Sequence, residues 1–292
     1  MGRQALNAYL PPSFCKKMIF SFFFTHTAFM PASYTHHLVA AEALSTLPSN
    51  VFNVITPHLS LYFFGAQGAD FCFFYRFLNP KSKNLGSFLH RKGGYTAFCM
   101  LSAFSARDLG LFAYTLGFIT HYAADVTFHP FVYAQSGKSP LKHARIEGAL
   151  DVHFKRQIPL PSKYATLLHR RLTKKEELDL FVAYSAIALK CGFPPLQLPA
   201  FSRAISLFNA YPPITSALFP SENSPTFQAA LNKENKPWKA PISDVLHKDS
   251  ADMLFQKSVA YSGELLKEML QCIQAQKAPP RAWFGKSYLT GL

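Results

Sequence analysis

A long apolar stretch in the first half of the chain carries titratable side chains that cannot be buried alone. His121 and Asp125 lie four residues apart in it, among leucine, phenylalanine, isoleucine, tyrosine, alanine and valine side chains. On an α-helix this spacing puts both side chains on one face, one turn apart. Because an unpaired carboxylate is too costly to bury, the two must bind each other, another hydrogen-bonding group or a metal ion. His129 follows four residues later, and Pro130 disfavours the α conformation of its predecessor, so the helix is predicted to end at or near His129.

A second pair of histidine and carboxylate follows directly. After a loop that contains Gly137 and Pro140, His143 and Glu147 repeat the spacing of four, with Asp151 one turn further along. A single pair of this kind is more often an internal hydrogen bond or part of a solvated helix face than a metal site. Two pairs in one short segment, with a histidine between them, favour a metal centre. Imidazole and carboxylate together suit zinc, and one carboxylate can bridge two ions.

Five segments, taken together, resemble the zinc-dependent phospholipase C family. In chain order they are PASYTHHLVAAEAL (31–44), FFGAQGADFCFFY (63–75), LGSFLHRKGG (85–94), HYAADVTFHP (121–130) and KHARIEGALD (142–151). The resemblance implies an all-α fold, formed by one multi-helix domain with a cluster of zinc ions, related to the zinc-dependent nucleases. It implies that Asp70 is the catalytic base and a zinc ligand. Asp125, placed centrally among the motifs, is the candidate to bridge two ions. The full set of zinc ligands that the resemblance implies is His36, Asp70, His90, His121, Asp125, His129, His143 and Glu147.

The chain departs from the secreted phospholipases of this family in two ways. Those enzymes use an N-terminal tryptophan as a zinc ligand shortly before the first histidine, whereas the first tryptophan here is Trp238. The resemblance therefore implies two or three zinc ions. The secreted enzymes also leave a longer gap than the one between Asp125 and His129, and the shorter spacing is similar to the intracellular branch of the family.

The composition favours the same helical fold class. Of the 292 residues 49% are hydrophobic, and leucine, phenylalanine and alanine dominate over the β-branched alternation that strands would need. A chain of this length can bury a large core as one or at most two domains. The formal net charge of +14 favours a phosphate-bearing partner, either nucleic acid or an anionic lipid surface. The five cysteines are scattered and odd in number, so neither a disulfide framework nor a thiolate zinc site is predicted.

The first 29 residues differ from the rest of the chain. Lys16 and Lys17 precede a short apolar run that has the outline of a signal peptide without a clean cleavage site. We favour the alternative, in which translation starts at Met30 and residues 1–29 are an N-terminal extension before a helical domain at residues 30–292. This interpretation predicts a cytoplasmic protein, and secretion is the alternative. No apolar run is long enough for a transmembrane helix.

Residues 155–292 contain no motif that indicates chemistry. Thr173 and Glu176 form a capping box, which predicts a helix that starts there. Another amphipathic helix is predicted to start at Asp249 or Ser250 and to pack through an apolar stripe. The first of these two helices is predicted to have Leu178, Phe181, Val182 and Leu189 on one packing face.

Two features close to the paired motifs are given smaller roles. Gly137, Lys138 and Ser139 are similar to part of a phosphate loop, but no strand precedes them, so a phosphate loop is not predicted. Asp151 continues the face of His143 and Glu147, and we expect it to orient a ligand from behind.

Three functions are compatible with these patterns. The first is zinc-dependent hydrolysis of a glycerophospholipid to diacylglycerol and a phosphorylated head group, with a phospholipid or membrane surface as the partner. The second is a single-strand nuclease, because related zinc nucleases have a similar site and the basic charge suits nucleic acid. The third is a protein that binds metal or lipid without turnover. No protein partner is inferred.

Overall fold

The computed structural model describes residues 33–76, 83–168, 170–215, 220–241 and 243–291. The predicted extension at residues 1–29 lies outside these ranges. The helices are Ser33–Ala43, Ser49–Ile55, Leu59–Gly65, Leu85–Phe88, Gly94–Ser105, Leu109–Ser136, Pro140–Gln157, Ser162–Ala165, Lys174–Lys190, Leu198–Thr215, Pro225–Leu231, Ala251–Gln274 and Arg281–Phe284. Short turns of 3-10 or π type occupy Leu44–Thr46, Thr56–His58, Asp70–Phe74 and Leu89–Gly93. Two strands, Trp238–Lys239 and Leu246–His247, pair in antiparallel fashion. The all-α prediction is confirmed.

The helix Leu109–Ser136, here called the central helix, is the element on which the rest of the fold packs. Asp108 caps its start, since the side chain accepts a hydrogen bond from the Leu111 backbone N–H at 2.7 Å. Gly137, with φ of 58°, ends it. Most of its side chains are buried on all sides, which explains why the sequence shows a nearly continuous apolar run.

The predicted end of this helix near His129 is wrong, because Pro130 lies inside the helix. Proline cannot donate the N–H that would pair with the Val126 carbonyl one turn earlier. The backbone of Gly291 packs against that carbonyl, so closely that an added Cβ would lie 2.8 Å from the oxygen. Phe131 and Val132, directly after the proline, are almost fully buried, and their packing offsets the missing hydrogen bond.

Glycines allow the backbone of the helix Leu59–Gly65 to lie in direct contact with the backbone of the central helix. A Cβ on Gly117 would lie 1.8 Å from the Tyr62 carbonyl oxygen, and one on Gly65 would lie 2.1 Å from the Tyr114 carbonyl oxygen. Any larger residue at these positions would force the two helices apart. This close approach places the turn that follows Gly65, and with it Asp70, beside the middle of the central helix.

The predicted helices of the second half are present, but one of them packs through a different face. The capping box of Thr173 and Glu176 is confirmed, and Ser250 caps the start of Ala251–Gln274. The predicted packing face of Lys174–Lys190 is wrong, since Leu178, Val182 and Leu189 are 49%, 51% and 55% exposed. The buried face of this helix consists of Leu180, Ala183, Tyr184, Ile187 and Ala188.

Tyr184 explains the choice of face on that helix. Its hydroxyl lies 2.5 Å from the Tyr114 hydroxyl, and Tyr114 in turn donates to the Gly68 carbonyl oxygen. A buried phenol needs hydrogen-bond partners of this kind, whereas an isolated leucine or valine side chain can lie on the surface at little cost. Among the described residues no helix has the length and apolar character that a membrane span requires.

Candidate metal centre

The eight residues that the sequence motifs single out lie together at the centre of the molecule. His36 comes from the helix Ser33–Ala43, Asp70 from the turn after Leu59–Gly65, and His90 from the π-helical turn Leu89–Gly93. The central helix supplies three further side chains, and Pro140–Gln157 supplies two. All eight are buried, each at most 6% exposed. The chain segments that carry them span residues 36–147.

The first group of potential ligands is formed by His36, His121 and Asp125. The Nε2 atoms of both histidines lie 3.3 Å from Asp125, that of His36 from Oδ1 and that of His121 from Oδ2. The predicted i, i+4 pair on the central helix is therefore in contact within the helix, and His36 approaches the same carboxylate from another helix. One ligand atom from each of the three residues lies within 4.8 Å of the others.

The second group is formed by Asp70, His90 and His121. His90 Nε2 lies 3.0 Å from Asp70 Oδ1, and His121 Nε2 lies 3.8 Å from the same oxygen. His121 thus belongs to two groups. Gly68, with φ of 59°, makes room for it, because a Cβ at that position would lie 2.0 Å from His121 Cδ2.

The third group is formed by His129, His143 and Glu147. Glu147 Oε1 lies 2.9 Å from His143 Nε2 and 3.3 Å from His129 Nε2. Asp125 connects this group to the other two, since its Oδ2 lies 3.8 Å from both His129 Nδ1 and His90 Nε2. The carboxylate of Asp125 is therefore in contact with histidines of all three groups.

The surroundings favour an ionised Asp125 beside a neutral His121. Burial alone would raise the pKa of Asp125, but the imidazoles of His121 and His129 and the hydrogen bond with His36 hold that pKa far below its usual value. Burial lowers the pKa of His121 to about 4. For His129 burial acts in the same direction, yet Asp125 and Glu147 raise its pKa to about 9. An anionic carboxylate and a neutral imidazole are the forms that bind zinc.

Buried polar atoms without a hydrogen-bond partner support a metal fit. They include Nε2 of His90 and His121, Oδ1 of Asp70, Oδ2 of Asp125 and Oε2 of Glu147. Several of these atoms are close to one another but do not form hydrogen bonds. Native proteins rarely leave buried polar atoms unsatisfied, and imidazole nitrogens and carboxylate oxygens that converge in this way are the donor set that zinc prefers.

Backbone carbonyls orient two of the histidines. His90 Nδ1 lies 2.8 Å from the Gly86 carbonyl oxygen, and His129 Nδ1 lies 2.9 Å from the Tyr288 carbonyl oxygen. When Nδ1 donates its proton to a carbonyl, Nε2 is left with a lone pair for a metal. Tyr288 was not identified by the sequence motifs, because nothing in its local pattern distinguishes it from a core tyrosine.

Asp151 contacts the start of the helix that carries His36. Its carboxylate accepts hydrogen bonds from the backbone N–H groups of Tyr34 and Thr35, at 3.0 and 2.7 Å, and from the Thr35 hydroxyl at 2.8 Å. These bonds hold the start of the helix that carries His36. His37, the neighbour of His36, points elsewhere and lies 2.9 Å from the Tyr164 carbonyl oxygen.

A cavity of about 560 Å³ opens over the ligand groups. Its floor includes ligands of all three groups, with Asp125 from the first, and its walls combine apolar, hydroxyl and cationic side chains. The lining residues are Asp70, Phe73, Ser87, His90, Arg91, Asp125, His129, Tyr133, Gly137, Lys138, Ser139, Pro140, His143, Pro241 and Leu289. The turn that is similar to part of a phosphate loop therefore lines the cavity, although it follows a helix and not a strand.

The fold and the site define an all-helical protein with a buried centre of histidines and carboxylates that could hold several metal ions beneath an open cavity. A family model described as zinc dependent phospholipase C matches residues 35–187, more than half of the chain. The chain belongs to the zinc-dependent phospholipase C family. All eight potential ligands lie within the matched residues. Comparisons with curated proteins and with solved structures gave no match.

Proposed function

We propose that this protein hydrolyses glycerophospholipids in the manner of a phospholipase C, with zinc ions held by the eight buried residues. The products are diacylglycerol and a phosphorylated head group. The observation that carries the proposal is the convergence of three ligand groups, connected through Asp125, on the floor of one open cavity. Family membership supports zinc dependence and a phospholipid substrate.

The three groups suggest two or three ions. Bound zinc would supply a hydroxide nucleophile near neutral pH and positive charge for the phosphate oxygens. Asp125 is the candidate bridge, since its two oxygens face different histidines at 3.3 Å. His121 belongs to both the first and the second group. If one ion takes this shared ligand, the centre holds two ions, and if each group holds its own ion, it holds three.

Asp70 is the candidate for the general base. Its Oδ1 is buried without a hydrogen-bond partner, and the residue lines the cavity in which a phosphodiester would lie. A base must be within hydrogen-bond reach of the water whose proton it takes, and the position of Asp70 in the cavity lining suits that role. Transfer of this proton leaves an oxygen nucleophile that would form a bond to phosphorus as the bond between phosphorus and the diacylglycerol oxygen breaks. The proton held by Asp70 balances the charge of the leaving oxygen, which is released as the hydroxyl group of diacylglycerol.

Cleavage of single-stranded nucleic acid is the alternative, favoured by the net charge of +14. Apolar residues in the cavity wall, Phe73, Pro241 and Leu289, suit the glycerol and acyl part of a lipid better than a charged strand. A protein that binds metal without turnover is the remaining alternative. It predicts that zinc removal lowers thermal stability while no phosphodiester is hydrolysed.

The test begins with elemental analysis of the full chain, purified without chelators, and with turnover of a short-chain phospholipid and of single-stranded DNA. We expect at least two zinc ions per chain, preferential turnover of the lipid, and loss of that turnover in Asp70→Asn. Asp244→Asn, an exposed aspartate on the loop between the two strands, is the control and should act like the unaltered protein. A zinc content near zero would refute the proposal, and DNA cleavage without lipid turnover would replace it with the nuclease.

A further inference from the structure

Two cations border the cavity above the ligand groups. Arg91 follows His90 directly on the π-helical turn Leu89–Gly93, and Lys138 lies in the turn between the central helix and Pro140–Gln157. Both side chains are exposed, and both line the 560 Å³ cavity. The whole central helix separates them along the chain, so the fold brings them to one cavity from distant segments.

The described carboxylates of the cavity both belong to the ligand groups, so they are not free to balance these cations. Among the lining residues that the structure describes, the acids are Asp70 and Asp125, and both belong to ligand groups. A carboxylate that binds zinc has its charge neutralised by the ion. The start of Pro140–Gln157 lies at the same place, and the N-terminal end of an 18-residue helix adds partial positive charge. The cavity wall beside the ligand groups is therefore electropositive.

Among the described residues, the aromatic side chains that line the cavity pack against histidines and do not form a cage for a quaternary ammonium group. The Phe73 ring packs against the His90 ring, with centroids 4.8 Å apart, and the Tyr133 ring packs against His143 at 4.7 Å. Arg91 lines the same cavity as these two rings. A choline group at this position would meet a like charge.

We propose that Arg91 and Lys138 form a subsite for an anionic head group, so that the preferred substrate is a glycerophospholipid with a second phosphate on its head group. The scissile phosphate would lie over the ligand groups, and the second phosphate would contact the two cations. Arginine binds phosphate through a bidentate fork, and lysine binds it as a point charge. This inference rests on the proposed function, because it assigns a direction to the head group of the same substrate.

The test uses three soluble head-group products that share a phosphate monoester and differ in the rest of their charge. Phosphocholine carries an added positive charge, glycerol 3-phosphate carries none, and inositol 1,4-bisphosphate carries a second phosphate. Binding of each to the zinc-loaded full chain is measured by calorimetry at constant ionic strength. We expect the bisphosphate to bind most tightly and phosphocholine least tightly. Removal of each cation should weaken bisphosphate binding by about tenfold, since a charge-assisted hydrogen bond contributes on that scale.

The variants are Arg91→Ala, Lys138→Ala and the double variant, each with its zinc content measured. The matched control is Arg203→Ala with Lys267→Ala, which removes the same charge from exposed positions that do not line the cavity. The control should keep the full order of affinities, and the double variant should bind the three compounds almost equally. If Arg91→Ala loses zinc because of its neighbour His90, Lys138→Ala carries the test, because residues 136–140 contain no ligand.

The outcomes separate this inference from the proposed function. Phosphocholine that binds the unaltered chain as tightly as the bisphosphate would overturn the subsite, and so would an order of affinities that survives the double variant. Lipid turnover with a preference for choline would overturn the subsite and leave the phospholipase proposal standing. The expected order of affinities without turnover of any lipid would support the subsite and refute the phospholipase proposal.

Discussion

Replacement of Gly68 by alanine should remove zinc from the centre through a single steric contact. Gly68 has φ of 59°, in the left-handed region, and its position beneath the His121 ring leaves no room for a side chain. An added Cβ would lie 2.0 Å from His121 Cδ2 and 2.3 Å from Nε2. Contact between such atoms normally requires about 3.5 Å, so the ring or the turn would have to move by roughly 1.5 Å.

Two costs add up in this variant. A left-handed conformation costs an alanine about 1–2 kcal/mol. Overpacking of a buried site typically costs about 1–3 kcal/mol more. The free energy of unfolding should therefore fall by about 2–5 kcal/mol. Metal ligand distances tolerate only about 0.2 Å, so a displaced His121 would no longer serve either of the two ligand groups that share it.

The assay combines zinc content per chain with urea unfolding followed by circular dichroism. Gly192→Ala is the matched control, because Gly192 has φ of 76° and an added Cβ would meet nothing within 4 Å. In this control the free energy of unfolding should fall only by the cost of the left-handed conformation, and the zinc content should stay unchanged. If Gly68→Ala keeps the zinc content and turnover of the unaltered protein, the steric reasoning is refuted, and the close packing around His121 is not required for the centre.

Three further predictions concern residues around the centre. Asp151→Ala should leave the backbone N–H and the hydroxyl of Thr35 without an acceptor, which costs about 1–3 kcal/mol of unfolding free energy for each unsatisfied group. Zinc content and the melting temperature should both fall, and unchanged values would contradict the prediction. In zinc-free protein, the free energy of unfolding should fall between about pH 6.5 and pH 9, because the pKa of His129 is raised to about 9 by Asp125 and Glu147 and the pKa values of His36 and His90 are raised as well. His129 alone should contribute up to about 3 kcal/mol to this fall, so urea unfolding across this range should show a smaller fall in His129→Gln, and an unchanged fall would contradict it. Tyr288→Phe should raise the unfolding free energy of zinc-free protein by about 1 kcal/mol, because the buried hydroxyl has no hydrogen-bond partner. A lower melting temperature in this variant would show that the hydroxyl does form a hydrogen bond.

The local spacing of ligands could be read from the sequence because it lies within single helices. His121 and Asp125 contact each other one turn apart, and so do His143 and Glu147. For such pairs helix geometry alone fixes the distance. The contact of Asp70 with His90 depends on the packing of separate segments, and only the family resemblance predicted it. The family resemblance thus predicted which distant segments contribute ligands, and the helical spacing predicted which ligands within one segment are in contact.

Two features depended on tertiary contacts that no local pattern contains. Pro130 is a helix breaker by local rules, but burial of Phe131 and the approach of Gly291 retain the helix through it. The helix Lys174–Lys190 has two apolar stripes, and the sequence does not say which one is buried. The partners of Tyr184 decide this, since a phenol has fewer acceptable environments than an aliphatic side chain.

Two residues of the cavity wall come from a different part of the chain than the ligand groups. All eight potential ligands lie between His36 and Glu147, inside the family match, whereas Pro241 and Leu289 reach the cavity from beyond residue 187. The second half supports the centre itself through a backbone carbonyl, that of Tyr288, which side-chain substitution leaves in place. Side chains of the second half can therefore vary without removing a ligand. The ligands can thus stay constant while this part of the cavity wall changes, so the family match does not cover the whole lining of the cavity.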